Sequence, residues 1–203
     1  MCNEAARRIG LGLLREDFAH LRIPLHFPEG LPNMQPLPSV RITNDTVIVR
    51  AVEDGSSDAE LVTRRWSWPG AHGKPVYNFR SDGRNIARGR CLIPVDGFYE
   101  FTAPQSGQKR KTKWIFTHTR HPWFCIAGVW KHDAGVGEAF SMLTTEPGAD
   151  IAPYHSRQVV VLNRSDWSAW LDGSAPSPDL CRPAPAGTLT AARVDGTPSL
   201  SEG

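Results

Sequence analysis

No apolar run in these 203 residues approaches the 18 or so needed to cross a membrane. The amino-terminal segment MCNEAARRIGLGLLRED scatters charges through its apolar positions and has no signal-peptide layout, so a cytoplasmic location is expected. Cysteine is scarce: Cys2, Cys91, Cys125 and Cys181 include no CxxC pair and no His–Cys spacing of a zinc site. Free thiols, no metal and no organic cofactor are therefore expected, and His118, His121 and His132 read as surface or strand residues. No internal repeat is present, which removes solenoid and propeller architectures. Net charge is only +2. Hydrophobic residues at 40% and charged residues at 22% place the chain among ordinary globular proteins rather than disordered ones.

Proline and glycine, by contrast, are plentiful: 17 and 18 copies cut the chain into short segments, which argues for β structure with few long helices. The spacing of Ala5, Ile9, Leu11, Leu14, Phe18 and Leu21 predicts a helix over 4–21, followed by an irregular stretch over 22–40. Strands are predicted at 46–52 and 59–66 around the turn EDGSSD, then at 111–119, 122–132, 138–146 and 155–162. RCLIPVDGFYEF (90–101) reads as a strand pair or a bulged strand, with Gly97 permitting a kink. SDWSAWLDG (165–173) reads as a short helix with Ser165 at its N-cap and Gly173 after its end. Five prolines between 176 and 198 leave the last 30 residues loosely structured. Seven or eight strands with flanking helices predict an α+β fold, a compact single domain on a bent, barrel-like and mostly antiparallel sheet. That domain is expected over 1–195, with a flexible tail at 196–203. The segment 66–85 is a long loop dense in Gly, Pro, Trp and Asn, and loops of that length without periodicity are commonly functional.

Charge is unevenly spread. Residues 80–120 hold nine Lys and Arg against Asp82, Asp96 and Glu100, a net of +6, which leaves −4 for the remainder. The stretch includes Arg80, Arg88 and Arg90 and the run KRKTK (109–113). Such a patch suits an acidic partner, nucleic acid foremost, and equally fits a solvated loop face.

Cys2 stands out by position. Loss of Met1 would leave an α-amine with a pKa near 8 beside a thiol with a pKa near 8.5. The amine can condense with an aldehyde, and the thiol can then close a five-membered thiazolidine in an intramolecular step. The same terminus is also a plausible amide-cleaving nucleophile. Asn78 and Arg80, in YNFRSD, leave one face of an extended segment. Glu100 sits among aromatics, where desolvation raises a carboxyl pKa toward the range useful to a general acid. It fits a buried ion-pair partner as well. His155 and Arg157 share a face at the head of an apolar strand, a proton carrier beside a phosphate-binding fork. His155 equally fits a satisfied histidine at a strand edge.

MCN, GKPVYNFRSD, RCLIPVDGFYEF, SMLTTE and HSRQVVVL occur in this order over residues 1–162. Together they resemble the SOS response-associated peptidase (SRAP) family, whose pattern RCL[VI]PADG[FY]YEW is close to 90–101. The resemblance implies a β-rich domain that binds single-stranded DNA and covalently traps abasic sites; a monomer, associated with the nucleoid, is expected. It assigns Cys2 as crosslinking nucleophile, Asn78 as holder of the terminal amine, Glu100 as proton donor to the sugar and His155 as the aid to ring opening. Arg80 and Arg157 would contact the DNA backbone, and Trp66 or Trp68 would stack on bases. An imine that fails to close would permit β-elimination, a lyase side reaction. A thiol autopeptidase that removes Met1 or cleaves other peptides is the alternative use of the same residues, and a plain single-strand binder that does not use Cys2 is a third. Several positions depart from the family: Asn3-Glu4 stands for a Gly-Arg pair, WSWP for WGLIP, and Ser156 and Gln158 for an Asp and a Met.

Overall fold

A computed structural model describes residues 2–104 and 110–194. Two large sheets make the body of the domain, and Trp68–Pro69 pairs with Pro75–Val76 in a separate two-stranded ribbon. The smaller has five strands in the spatial order Leu189–Arg193, Thr112–His118, Gly97–Thr102, Glu4–Arg7, Leu37–Arg41. The larger runs Gln158–Val159, Gly137–Thr145, Phe124–Asp133, Arg90–Val95, Asp45–Ala51, Ala59–Trp66, Leu25–His26. Gly137–Thr145 also pairs, in parallel, with Ala59–Trp66, so five of these strands form a closed ring. Most other pairings are antiparallel. The fold is α+β and barrel-like. No helix among the described residues is long and apolar enough to cross a membrane.

RCLIPVDGFYEF carries the chain from one sheet to the other. Arg90–Val95 belongs to the larger sheet and Gly97–Thr102 to the smaller, and Asp96 is the crossing residue. A Cβ on Gly97 would lie 3.1 Å from both the Ile115 side chain and the Phe116 carbonyl oxygen, so glycine suits this close approach. Asp96 fixes the crossing by accepting hydrogen bonds from the backbone N–H and guanidinium of Arg8.

Two packed clusters fill the fold. One lies under the helix Leu11–His20, which buries Leu14 and Phe18 against Trp123 and Trp167. The other lies between the sheets and contains Cys2, Trp66, Phe98, Phe116, Phe124 and Phe140.

Sequence periodicity misplaced three elements. Glu4–Arg7 is a strand rather than the first turn of a helix, because it fills the slot between Leu37–Arg41 and Gly97–Thr102. The helix starts only at Leu11, after Gly10 in an extended conformation. The stretch 22–40 contributes strand residues at both ends. Leu189–Arg193, within the segment expected to be loose, pairs along Thr112–His118, and the Asp150 carboxylate accepts the N–H groups of Gly187 and Leu189 that lead into it. The strand count is also about twice that expected, since several strands span only two residues. The expected boundary at 195 and the tail beyond it lie outside the described residues.

Candidate functional site

The entry to the strand Glu4–Arg7 brings Cys2 into the core between the sheets, where it is 1% exposed. Its Sγ donates to the Glu4 carbonyl at 3.3 Å. The Asn78 amide Nδ2 donates to the Cys2 carbonyl oxygen at 2.7 Å. Asn78 opens the short strand Asn78–Arg80, held in parallel register against Met142. Its Oδ1 is buried and has no partner among the described residues. Glu100, on Gly97–Thr102, is 2% exposed. Burial pushes its carboxyl up to about 7. Burial also pushes the Cys2 thiol well above its ordinary range, and the charge of neighbouring Glu100 adds to that rise. The two groups therefore disfavour ionising together.

His155 ends a tight turn, its N–H bonded to the Ile151 carbonyl. Its Nδ1 accepts the Arg157 backbone N–H at 3.0 Å, so the neutral ring carries its proton on Nε2. The Arg157 carbonyl lies 3.1 Å from the same nitrogen and can accept from it when the ring is protonated. Burial lowers the His155 pKa, which favours the neutral ring near pH 7. The preceding residue, Tyr154, packs on Trp114, which stands directly opposite Glu100 in the sheet. Four dispersed segments thus converge: Cys2, Asn78 and Glu100 directly, and His155 through its neighbour's ring.

The proposed DNA contacts divide. Arg80 is exposed at the end of its strand. Arg157 reaches the same place, its guanidinium bonded to Asp82 at 2.5 Å and to the Thr144 carbonyl at 2.9 Å. The hydrogen bond from Arg157 holds the Asp82 carboxyl below its usual range. Trp66 has no face to offer a base. It is fully buried, stacked on Phe140, and its indole N–H donates to the Tyr77 carbonyl at 2.9 Å, which fixes the residue before Asn78. Trp68 is 8% exposed and carries the Lys131 ammonium 5.0 Å over its ring. Arg90 is also structural: its guanidinium binds the carbonyls of Ile86, Trp170 and Ala175 and lies over the Trp170 ring. Arg88 is exposed and lines a separate cleft with Arg50, Asp54, Trp130 and Asp172, which none of the four catalytic candidates reaches. The basic stretch is therefore partly spent on packing: Lys113 pairs with Glu4, and Arg84 lies over Phe79. Lys109 lies outside the described residues.

Glu4 replaces an arginine of the family pattern, and the structure turns it inward. Burial opposes its ionisation, but hydrogen bonds from Lys113 and Ser39, both 2.7 Å, hold its carboxyl below the usual range. It pins the strand that carries Cys2. Neither this clasp nor Trp114 and Tyr154 were apparent in the sequence, although the alternation of KTKWIFTHT against GFYEF contains the register that aligns Trp114 with Glu100. Among the described residues, no three His, Cys, Asp or Glu side chains gather as metal ligands do.

Comparison with known proteins bears on family and fold. Abasic site processing protein YoaM of Bacillus subtilis (strain 168) is 26% identical over 171 residues, covering 75% of this chain and 72% of that one. A solved structure from Bordetella bronchiseptica superposes with a TM-score of 0.71 at 23% identity, covering 96% of this chain and all of the other. One from Bacteroides thetaiotaomicron gives 0.69 at 17% identity, covering 96% and 92%. These two establish the likeness of fold. The family model described as SOS response associated peptidase (SRAP) matches residues 43–197, a span that includes Asn78, Glu100 and His155. That match takes in well over half of the chain, and the protein belongs to the SRAP family.

Proposed function

We propose that the protein, once Met1 is removed, binds single-stranded DNA as a monomer and traps abasic sites as a thiazolidine on Cys2. The observation that carries this reading is the Asn78 amide on the Cys2 carbonyl beside a buried carboxyl that titrates near 7. The family membership and the name of the Bacillus relative point the same way. The cytoplasmic nucleoid is the proposed place of action.

An abasic sugar interconverts between a closed hemiacetal and an open aldehyde. Protonated Glu100 donates to the ring oxygen as the ring opens and regains a proton from the C1′ hydroxyl as that oxygen becomes the aldehyde carbonyl, with the His155 Nε2–H hydrogen-bonding to the sugar. Positioned proton transfer of this kind is worth roughly 10²–10⁴-fold. The Cys2 amine, steered by the buried Asn78 Oδ1, which has no partner among the described residues, adds to C1′. Glu100 then protonates the departing hydroxyl, so water leaves and a protonated imine remains. The resulting Glu100 carboxylate lies beside the Cys2 thiol and takes its proton as sulfur adds to the imine carbon. One C–N and one C–S bond form, and one water is lost. Burial keeps the thiol neutral, so its proton leaves only as sulfur bonds to the imine carbon. Arg80 and Arg157 supply sequence-independent, salt-sensitive attraction for the backbone.

Cys2→Ala tests this. It should retain single-strand binding and lose the adduct that survives a denaturing gel. An adduct of unchanged yield refutes the assignment.

A further inference from the structure

With Trp66 and Trp68 committed to packing, the face that meets a base must lie elsewhere. The register of the smaller sheet locates it. Glu100 stands opposite Trp114, and Trp114 opposite Arg193. Cross-strand partners project to one face, so these three side chains form a row across three adjacent strands. The row further in is Phe98, Phe116 and Ala191, of which the two phenylalanines are fully buried. Along the Glu100 row exposure rises from strand to strand, from buried Glu100 through half-buried Trp114 to exposed Arg193. The Trp114 indole N–H donates to Thr102 Oγ1 at 3.0 Å, which sets the ring's orientation. Tyr154, also half-buried, packs edgewise on Trp114 and Phe116 with ring centroids 5.0 Å away in both cases. At the same end of the strands, Arg110, Lys111 and Arg193 are exposed.

We infer that Trp114, braced by Tyr154 and Thr102, is the stacking platform for the base flanking an abasic site in single-stranded DNA. The inference rests on the function proposed above. Its chemistry follows from the lesion itself. A missing base leaves its neighbour without a stacking partner on one side, and an oriented indole one strand away from Glu100 replaces that partner. Strands lie about 4.8 Å apart, so the platform is one side chain removed from the carboxyl that acts on the sugar. The exposed cations beyond it suit the phosphates that follow. Stacking on an aromatic ring tolerates any base, so the platform recognises single strands without reading sequence.

Single-stranded DNA with one abasic site and 2-aminopurine on either side tests this, with adduct formation followed in parallel on unlabelled DNA. The Met1-free protein should quench the fluorophore on one side of the lesion. Trp114→Leu, which keeps apolar bulk without a π face, should abolish that quenching. It should also raise the DNA concentration giving half-maximal adduct by about 5- to 150-fold. The saturating rate should be kept, and Trp114→Phe should retain most of the parent's behaviour. Thr102→Val, which frees the indole, should weaken quenching and serves if Trp114→Leu does not fold. Adduct formation with no quenching on either side, or with an unchanged half-maximal concentration in Trp114→Leu, overturns the platform and leaves the crosslinking reading standing. Absence of any adduct from the Met1-free protein sinks the crosslinking reading, whatever the fluorophore reports.

Discussion

Glu100→Gln separates the chemistry assigned to this carboxyl from its cost to the fold. Burial raises the group from an ordinary 4.5 to about 7. That difference corresponds to about 3 kcal/mol at most, at 1.36 kcal/mol per unit. The sign follows from linkage: the folded chain holds this proton more tightly than the unfolded one. The contribution is therefore complete below pH 4.5, is lost as pH rises through the window from 4.5 to 7, and stays lost above it. Glutamine keeps the shape and cannot ionise, so the variant should gain on the parent by up to about 3 kcal/mol between pH 4.5 and pH 8. Urea unfolding of both proteins at the two pH values measures that gain, and other titrating groups cancel in the comparison. Adduct formation should move the other way: Glu100→Gln should be slower by roughly 10²–10⁴-fold and should lose the alkaline fall in rate centred near 7. A stability difference that is the same at both pH values would show that this carboxyl is not desolvated. An unchanged pH–rate profile would show that it is not the acid.

Three further outcomes are expected. Cys2→Ser keeps the amine but not the thiol, so its DNA adduct should be captured by borohydride as a reduced imine and vanish without reductant; a stable adduct without borohydride contradicts ring closure by sulfur. Arg90→Met should lower stability by about 3 kcal/mol or more in urea unfolding, because three carbonyls lose a charge-assisted donor. It should leave the salt dependence of DNA binding unaltered, and a shallower salt slope would restore Arg90 as a phosphate contact. Asp82→Asn releases the Arg157 guanidinium from its 2.5 Å partner. The slope of log affinity against log salt should steepen by about one unit in anisotropy titrations, and an identical slope would mean that Arg157 does not reach the backbone.

What the sequence made legible was local chemistry: the alternation of 46–52 and 59–66, the kink at Gly97, and the residue types at 2, 78, 100 and 155. What it hid was pairing at long range. Glu-Ala-Ala-Arg at 4–7 has helical propensity, and only the vacancy between two distant strands makes it extended. Leu189–Arg193 follows a proline-rich stretch and is ordered by Asp150 and by an edge nearly 80 residues earlier. The same blindness misdirected the DNA contacts. Trp66, Trp68 and Arg90 have the chemistry of nucleic-acid binders, but burial decides their use, and burial depends on which strands close the barrel. Glu4 shows the converse: a charge that looked like a lost contact is the anchor that holds the strand entered through Cys2.

The central claim is that the second residue, once first, captures an aldehyde with both its nitrogen and its sulfur. Intact-mass spectrometry of the purified protein after incubation with single-stranded DNA bearing one abasic site tests it most directly. The account predicts a chain lacking Met1 and heavier by the mass of the DNA less one water, with peptide mapping locating the change at Cys2. A chain that has lost Met1, is fully folded and remains at its unmodified mass in excess lesion-bearing DNA contradicts it.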